Sequence, residues 1–516
     1  MTAVAPYVPA TGYDELVEPA GNPRPLARPL LDYMARTGMG VVIERQEAAE
    51  AEVRSMGVTF RSGTSSERPW PFDVIPRLVS FPEWQHIETG LTQRVRALNC
   101  FVGDMYHEQR ILQSGVVPIG VVRASPNFRS ECVGVDPPGG IWVHICGSDI
   151  IRGAEGTLYV LEDNLRVPSG VAYLLENRLI AKRVFPELFR HYSIEPVDHY
   201  VTSLADVLSS VAPVGTTAAR VVVLTPGPAN SAYHEHAYLA QQLGADLVEG
   251  RDLVVTGDRL YVHTIGGAEP VDVVYRRIDD LYLDPEVFIK DSVIGVPGIM
   301  RAWRAGNVAI VNAPGTGVAD DKAVYPYVSD MIRYYLEEEP VLPSVPTWRC
   351  ADEFDRRHVL EHLADLVVKP SNEAGGYGIV IGPQSGSESL RQVADLIERF
   401  PPGWVAQPVV NLSTMPTLCT GEIQPRHVDL RPFTLLGPNG AYVVPGGLTR
   451  VARDEGSLIV NSSQGGGSKD TWVIRGVVDT PIGDGDPRGD RGSGDPEGTW
   501  SEGADNGEEE SRWADE

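Results

Sequence analysis

With 516 residues, 42% of them hydrophobic and 22% charged, the chain carries enough apolar material for two or three domains of ~150 residues each. A net charge of −26 argues against a nucleic-acid partner or an anionic membrane surface, and no run approaches the ~18 consecutive apolar residues of a membrane span. Five scattered cysteines without a C-x-x-C pair argue against a zinc site. The N-terminus M-T-A-V-A-P-Y-V-P has neither a basic nor an apolar signal region, so a reduced, cytoplasmic setting is expected.

Residues 1–28 are Pro-rich and read as an arm on the surface; residues 29–56 have helical spacing. The segment around Arg68 and Arg77 reads as irregular. Those arginines either face an anion or pair with Glu67 and Asp73. From Pro82 to Leu112 one long helix is predicted, because Ile87, Leu91, Val95, Leu98, Val102 and Met105 recur at steps of three and four.

Two short apolar strands follow, residues 142–146 and Leu158–Leu161, joined by the turn signal Gly153–Gly156. The second runs into Glu162, Asp163, Asn164 and Arg166 before Pro168 and Gly170. Alternation puts Glu162, Asn164 and Arg166 on one face and Asp163 on the other. A carboxylate and an amide oxygen two residues apart, with Asp149 on the neighbouring strand, suit a hard cation such as Mg²⁺. A solvated strand end with an Arg–carboxylate pair is the plain alternative.

Residues 171–212 read as broken helix. Arg220–Leu224, a helix near 232–243 and the strand D-L-V-E-G form a β-loop-α-β unit. Its loop Thr225–Ser231 lacks G-x-G-x-x-G, so a dinucleotide reading is weak. H-E-H at 234–236 is not a zinc-protease motif. After the strands at 271–275 and around V-A-I-V-N, Lys322 is expected to open a helix running to about Glu338.

The strand Leu366–Lys369, the loop P-S-N-E-A-G-G-Y-G and the strand Ile379–Ile381 form a glycine-rich flap. Its N–H groups could cover phosphates while Lys369 adds a point charge. It is not a Walker A loop, since no G-K-[ST] opens a helix after it, and a flexible hairpin is the alternative. Beyond it come the strand W-V-A-Q-P-V-V, a strand with Asp429 and Arg431 on one face, Arg450 on another, and L-I-V-N-S-S-Q-G-G-G, read as a strand ending at Asn461. From Asp479 on, 13 acidic residues stand against three arginines with almost no apolar content, so disorder is expected.

Together these pieces resemble an ATP-grasp ligase: a strand lysine before a glycine flap, a hinge strand, D-x-R, a further Arg and an N-x-x-x-G-G turn. The metal Asp and Glu-x-Asn strand come ahead of the rest, as a circular permutation would produce. The chain therefore resembles the circularly permuted ATP-grasp branch that includes glutathionylspermidine-synthetase-like enzymes, over roughly residues 12–475. The resemblance implies an α+β, circularly permuted ATP-grasp fold over 29–478. Within it would lie a metal hairpin at 141–170, a pre-ATP-grasp-like α/β unit at 218–300, a flap lobe at 345–410 and core strands at 425–475, with the tail at 479–516.

It also implies that Asp149, Glu162 and Asn164 hold Mg²⁺ on the ATP phosphates, and that Lys322 and Lys369 contact those phosphates. Gly375, Gly376, Tyr377 and Gly378 would form the flap, the backbone near Gln407 to Val409 would meet adenine, Asn461 would lie in the turn, and Arg431 and Arg450 would stabilise transferred phosphate. That branch carries an Arg where this chain has Gly147, so Arg166, Arg152 or Arg178 would take the substrate carboxylate. The implied activity is ATP-dependent joining of a carboxylate to an amine, on small-molecule or peptide substrates, with no nucleic-acid or membrane partner. A non-catalytic nucleotide-binding scaffold and a phosphotransferase are the alternatives.

Overall fold

In the computed structural model, residues 7–61, 67–372, 378–460 and 466–478 are described. Strand Ile145–Arg152 lies inside the largest sheet, ten strands among the described residues. Along the sheet the order is Gly440–Val443, Phe433–Gly437, Ile145–Arg152, Glu422–Arg431, Leu448–Val451, Gly467–Val477 and Phe72–Ser80. Neighbours are antiparallel except the last pair. Leu158–Asn164 pairs with Ile145–Arg152 as a hairpin.

The hairpin strand starts later than the apolar pattern implies. The N–H groups of Trp142 and Val143 donate to Asn99 Oδ1 and that of His144 to Asn312 Oδ1, so side chains take the place of a ladder there. The register sets Asp149 opposite Glu162, with an irregularity between Asp149 and Ile150. Helix Phe81–Met105 packs behind: Ile87 and Leu91 meet Ile150, Val160 and Leu430. This helix ends seven residues before the predicted Leu112, because the Asp104 carboxylate accepts the N–H groups of Arg110 and Ile111 and starts a separate turn, Arg110–Gln113.

Two smaller sheets stand beside this one. Val221–Leu224, Asp246–Val248, Val273–Arg276 and Ala309–Val311 are parallel, and helix Tyr233–Leu243 makes the crossover between the first two. Near-continuous Val, Ile and Leu fit a sheet covered on both faces. Trp348–Arg349, Trp404–Pro408, Leu366–Pro370 and Val380–Ile381 form an antiparallel sheet. With helices Glu353–Glu361 and Ser387–Arg399 it encloses its own core of Val359, Leu366, Val368, Val393, Ile397 and Ala406.

Three further expectations change. The segment after residue 7 is not a surface arm: Leu16 is fully buried, and the buried Glu15 bonds to Arg77 and Arg152. Arg77 therefore pairs with neither Glu67 nor Asp73. Leu458–Val460 joins no ladder, and the strand of that region is Gly467–Val477. Lys322 opens no helix; it lies in a turn ahead of helix Val328–Leu336, and its N–H donates to Ser371 O at 3.0 Å. The expected flap residues Gly375, Gly376 and Tyr377, the turn residue Asn461 and the tail from 479 lie outside the described residues.

Candidate active site

A cleft is lined from both the ten-stranded sheet and the antiparallel sheet that carries Lys369. Its walls are aliphatic: Val345, Ile381, Leu412 and Val460 are among them. Asp149, Glu162, Lys322, Lys369, Asp429 and Arg450 supply its charged lining. An apolar slot joined to dense charge of both signs suits a ligand with a flat apolar head and a polyanionic tail.

Each charged group but Lys322, which lies in a turn, is set by its strand. Glu162 and Asn164 share a face, as alternation requires. Asn164 Nδ2 donates to Gly147 O at 3.1 Å and Glu162 Oε1 at 3.4 Å, so the amide oxygen is the atom it has to offer a cation. Asp163, on the opposite face, is buried against Arg94 and accepts from Ser148 Oγ at 2.7 Å. Lys322 Nζ stands 3.7 Å from Glu162 Oε2. Lys369, buried, donates to Gln407 Oε1 at 2.6 Å, and Gln407 Nε2 donates to Thr347 Oγ1 at 2.9 Å. Burial pushes the Lys369 ammonium down to about 8; Glu162 and Asp149 pull it back up and Lys322 opposes them.

Arg431 and Arg450 converge on Asp149. Arg431 Nη2 donates to Asp149 Oδ2 at 2.8 Å, and Arg450 Nε donates to both oxygens of Asp429 at 3.0 Å. Burial alone would raise the Asp149 carboxyl, but the two guanidiniums outweigh it and hold it well below the usual carboxylate range. Burial raises the Asp429 carboxyl against the pull of Arg450.

Oxygen donors from Glu162, Asn164 and Asp149 fit a hard cation that completes its shell with phosphate and water. They are not a closed cage: among the described residues no group of three or more His, Cys, Asp or Glu side chains is arranged to hold a metal ion.

Other expected residues are placed differently. Arg166 does not line the cleft; the chain leaves the strand after Asn164, and its guanidinium reaches Asp320 at 2.6 Å and Asp279 at 3.2 Å. Arg152 is held by Glu15 and Glu83, and Arg178 by Asp470. All three are thus engaged in ion pairs away from the cleft lining. Val409 is not a lining residue, whereas Gln407, Pro408 and Val410 are. Gly378 has φ +72°, and a Cβ there would meet Pro370 Cγ at 2.9 Å, so this end of the loop needs glycine. Sequence reasoning missed the Gln407 side chain and the Leu458–Val460 wall. The apolar run L-I-V was visible, but as a strand.

An antiparallel sheet that carries a buried lysine, facing a charged hairpin across one cleft, is the arrangement of an ATP-grasp protein. A family model described as circularly permuted ATP-grasp type 2 matches residues 76–452, and the chain belongs to that family. It is 52% identical over 473 residues to an uncharacterised protein of Synechocystis, covering 91% of this chain and 98% of that one. It is 46% identical over 476 residues to a Frankia alni protein named "Putative glutamate--cysteine ligase 2-3", covering 91% of this chain and 54% of that longer one. The solved apo structure of a glutathione synthetase-like effector from Globodera pallida matches with a TM-score of 0.57 at 11% identity, over 85% of this chain and 98% of that one. That likeness is one of fold.

Proposed function

We propose that the protein is an ATP-dependent carboxylate–amine ligase. The observation that carries this reading is the gathering of Lys369, Lys322, Arg450, Asp149, Asp429 and Glu162 at a cleft with aliphatic walls. Adenine would lie between the aliphatic walls, against the strand Trp404–Pro408. Lys322 and Lys369 would meet phosphate oxygens, and Arg431 and Arg450 would meet the transferred group. Asp149, Glu162 and Asn164 would hold Mg²⁺, which when bound neutralises phosphate charge. The substrate carboxylate oxygen would attack the γ-phosphorus in line, releasing ADP and giving an acyl phosphate. An amine nitrogen would then attack the carbonyl carbon, with phosphate leaving. Such chemistry needs positioning and charge rather than a nucleophilic side chain.

The test is ADP release from Mg·ATP with mixtures of carboxylic acids and amines, with new amides read by mass spectrometry. Amine-dependent ADP release with amide formation is the expected result. Phosphoryl transfer without amide would indicate a phosphotransferase, and nucleotide binding without turnover a scaffold.

A further inference from the structure

Asp149 sits where two arginines meet. Arg431 grips it with Nε on Oδ1 at 2.5 Å and Nη2 on Oδ2 at 2.8 Å, and Arg450 Nη2 reaches the same Oδ2 at 2.5 Å. Arg450 also holds Asp429. Asp149 and Asp429 are 2% and 1% exposed. Two carboxylates and two guanidiniums thus form a neutral, hydrogen-bonded cluster that is satisfied without any ligand. Glu162 is not engaged in this way: Arg431 Nη2 stays 3.9 Å from its Oε1.

In this geometry Asp149 occupies the guanidinium positions that a phosphate group would otherwise take. A free polyphosphate that draws the arginines away strands a buried carboxylate beside a new anion. A divalent cation that takes Asp149 alone strips Arg431 of its carboxylate and loosens Arg450, which keeps Asp429. Removing one partner of a buried pair is costly because the other charge stays desolvated. Only a cation and a polyphosphate arriving together give every group a new partner.

We infer that Asp149 is a specificity-determining residue that stands in for phosphate and makes the cleft selective for the cation–nucleotide complex over either component. This rests on the nucleotide reading above. Calorimetric titration of the full chain with ATP, once in EDTA and once with MgCl₂, tests it. Wild type should bind Mg·ATP at least ~100-fold more tightly than ATP in EDTA, and Asp149→Asn should bind ATP in EDTA at least ~10-fold more tightly than wild type does. Glu162→Gln removes a charge of the same sign without freeing a gripped arginine, so its gain in EDTA should be clearly smaller. Equal gains in the two variants, or none in Asp149→Asn, would overturn the inference. So would a wild type that binds ATP equally well with and without Mg²⁺, a measurement that needs no variant to fold. A wild type that binds no Mg·ATP would instead overturn the nucleotide reading itself.

Discussion

Lys369 is a cation in a place that penalises cations. Its ammonium is held at about 8, below the ordinary value of 10.5, chiefly by burial. The folded value is thus the lower one, so the cost of holding the charge is fully present below pH 8. It is relieved as the pH climbs from about 8 to about 10.5, where the unfolded chain binds the extra proton. Lys369→Met keeps the stem and removes the charge. In nucleotide-free protein its stability relative to wild type should therefore be more favourable at pH 7 than at pH 10, measured by urea unfolding at both. Mg·ATP affinity should fall roughly 10-fold, ~1.4 kcal/mol, by calorimetry at pH 7. If Lys369 serves Gln407 alone, affinity stays unchanged. Glu162 faces the cleft without a close guanidinium partner, so Glu162→Gln should keep the fold and cut turnover at least ~100-fold, ~2.7 kcal/mol, in a coupled ADP assay.

At the scale of elements, the hairpin Ile145–Asn164 separates its tasks by face. Glu162 and Asn164 point one way; Asp163 points the other, into the Arg94 guanidinium on helix Phe81–Met105. That pair is buried on both sides, so Asp163→Ala, which leaves the Arg94 charge with no carboxylate and only Ser344 Oγ as a partner, should cost about 3–5 kcal/mol in denaturant unfolding, well above an exposed pair such as Arg391–Glu388. Much of this hairpin was legible in the sequence. Alternation at E-D-N is local, and so is the Gly153–Gly156 turn. The flap strands and Lys369 were legible for the same reason. What local pattern does not carry is where a chain leaves its element. Arg166 shares the parity of Glu162, yet turns to Asp320, 154 residues away. The apolar stripe runs through residue 105, but the Asp104 cap that breaks it depends on which N–H groups that carboxylate meets. Leu458–Val460 has strand composition and serves as a wall, since the neighbouring ladder positions are taken by Gly467–Val477.

At the scale of the molecule, the segment after residue 7 is tied into the centre. Glu15 accepts from Arg77, Arg152 and Ser413, linking three distant stretches. Deleting residues 1–24 should therefore lower the melting temperature by several degrees, since the buried Arg77 loses the carboxylate it bonds and Arg152 is left with Glu83; an unchanged scanning-calorimetry trace would show that Arg77 finds another partner. Saturation has the opposite effect: Mg·ATP at 100 times its dissociation constant should stabilise the fold by ~2.7 kcal/mol. The distance along the chain between Asp149 and its arginines has a consequence in time. Arg431 lies 282 residues later and Arg450 lies 301. At ribosomal rates of about 5–20 residues per second, roughly 15–60 seconds separate the carboxylate from the guanidiniums that neutralise it. Throughout that interval Asp149 has neither guanidinium partner, so a growing chain cannot complete the cleft. A chain stalled before residue 431 would lack both arginines of the cluster, and translation itself sets the earliest moment at which the cleft can be complete.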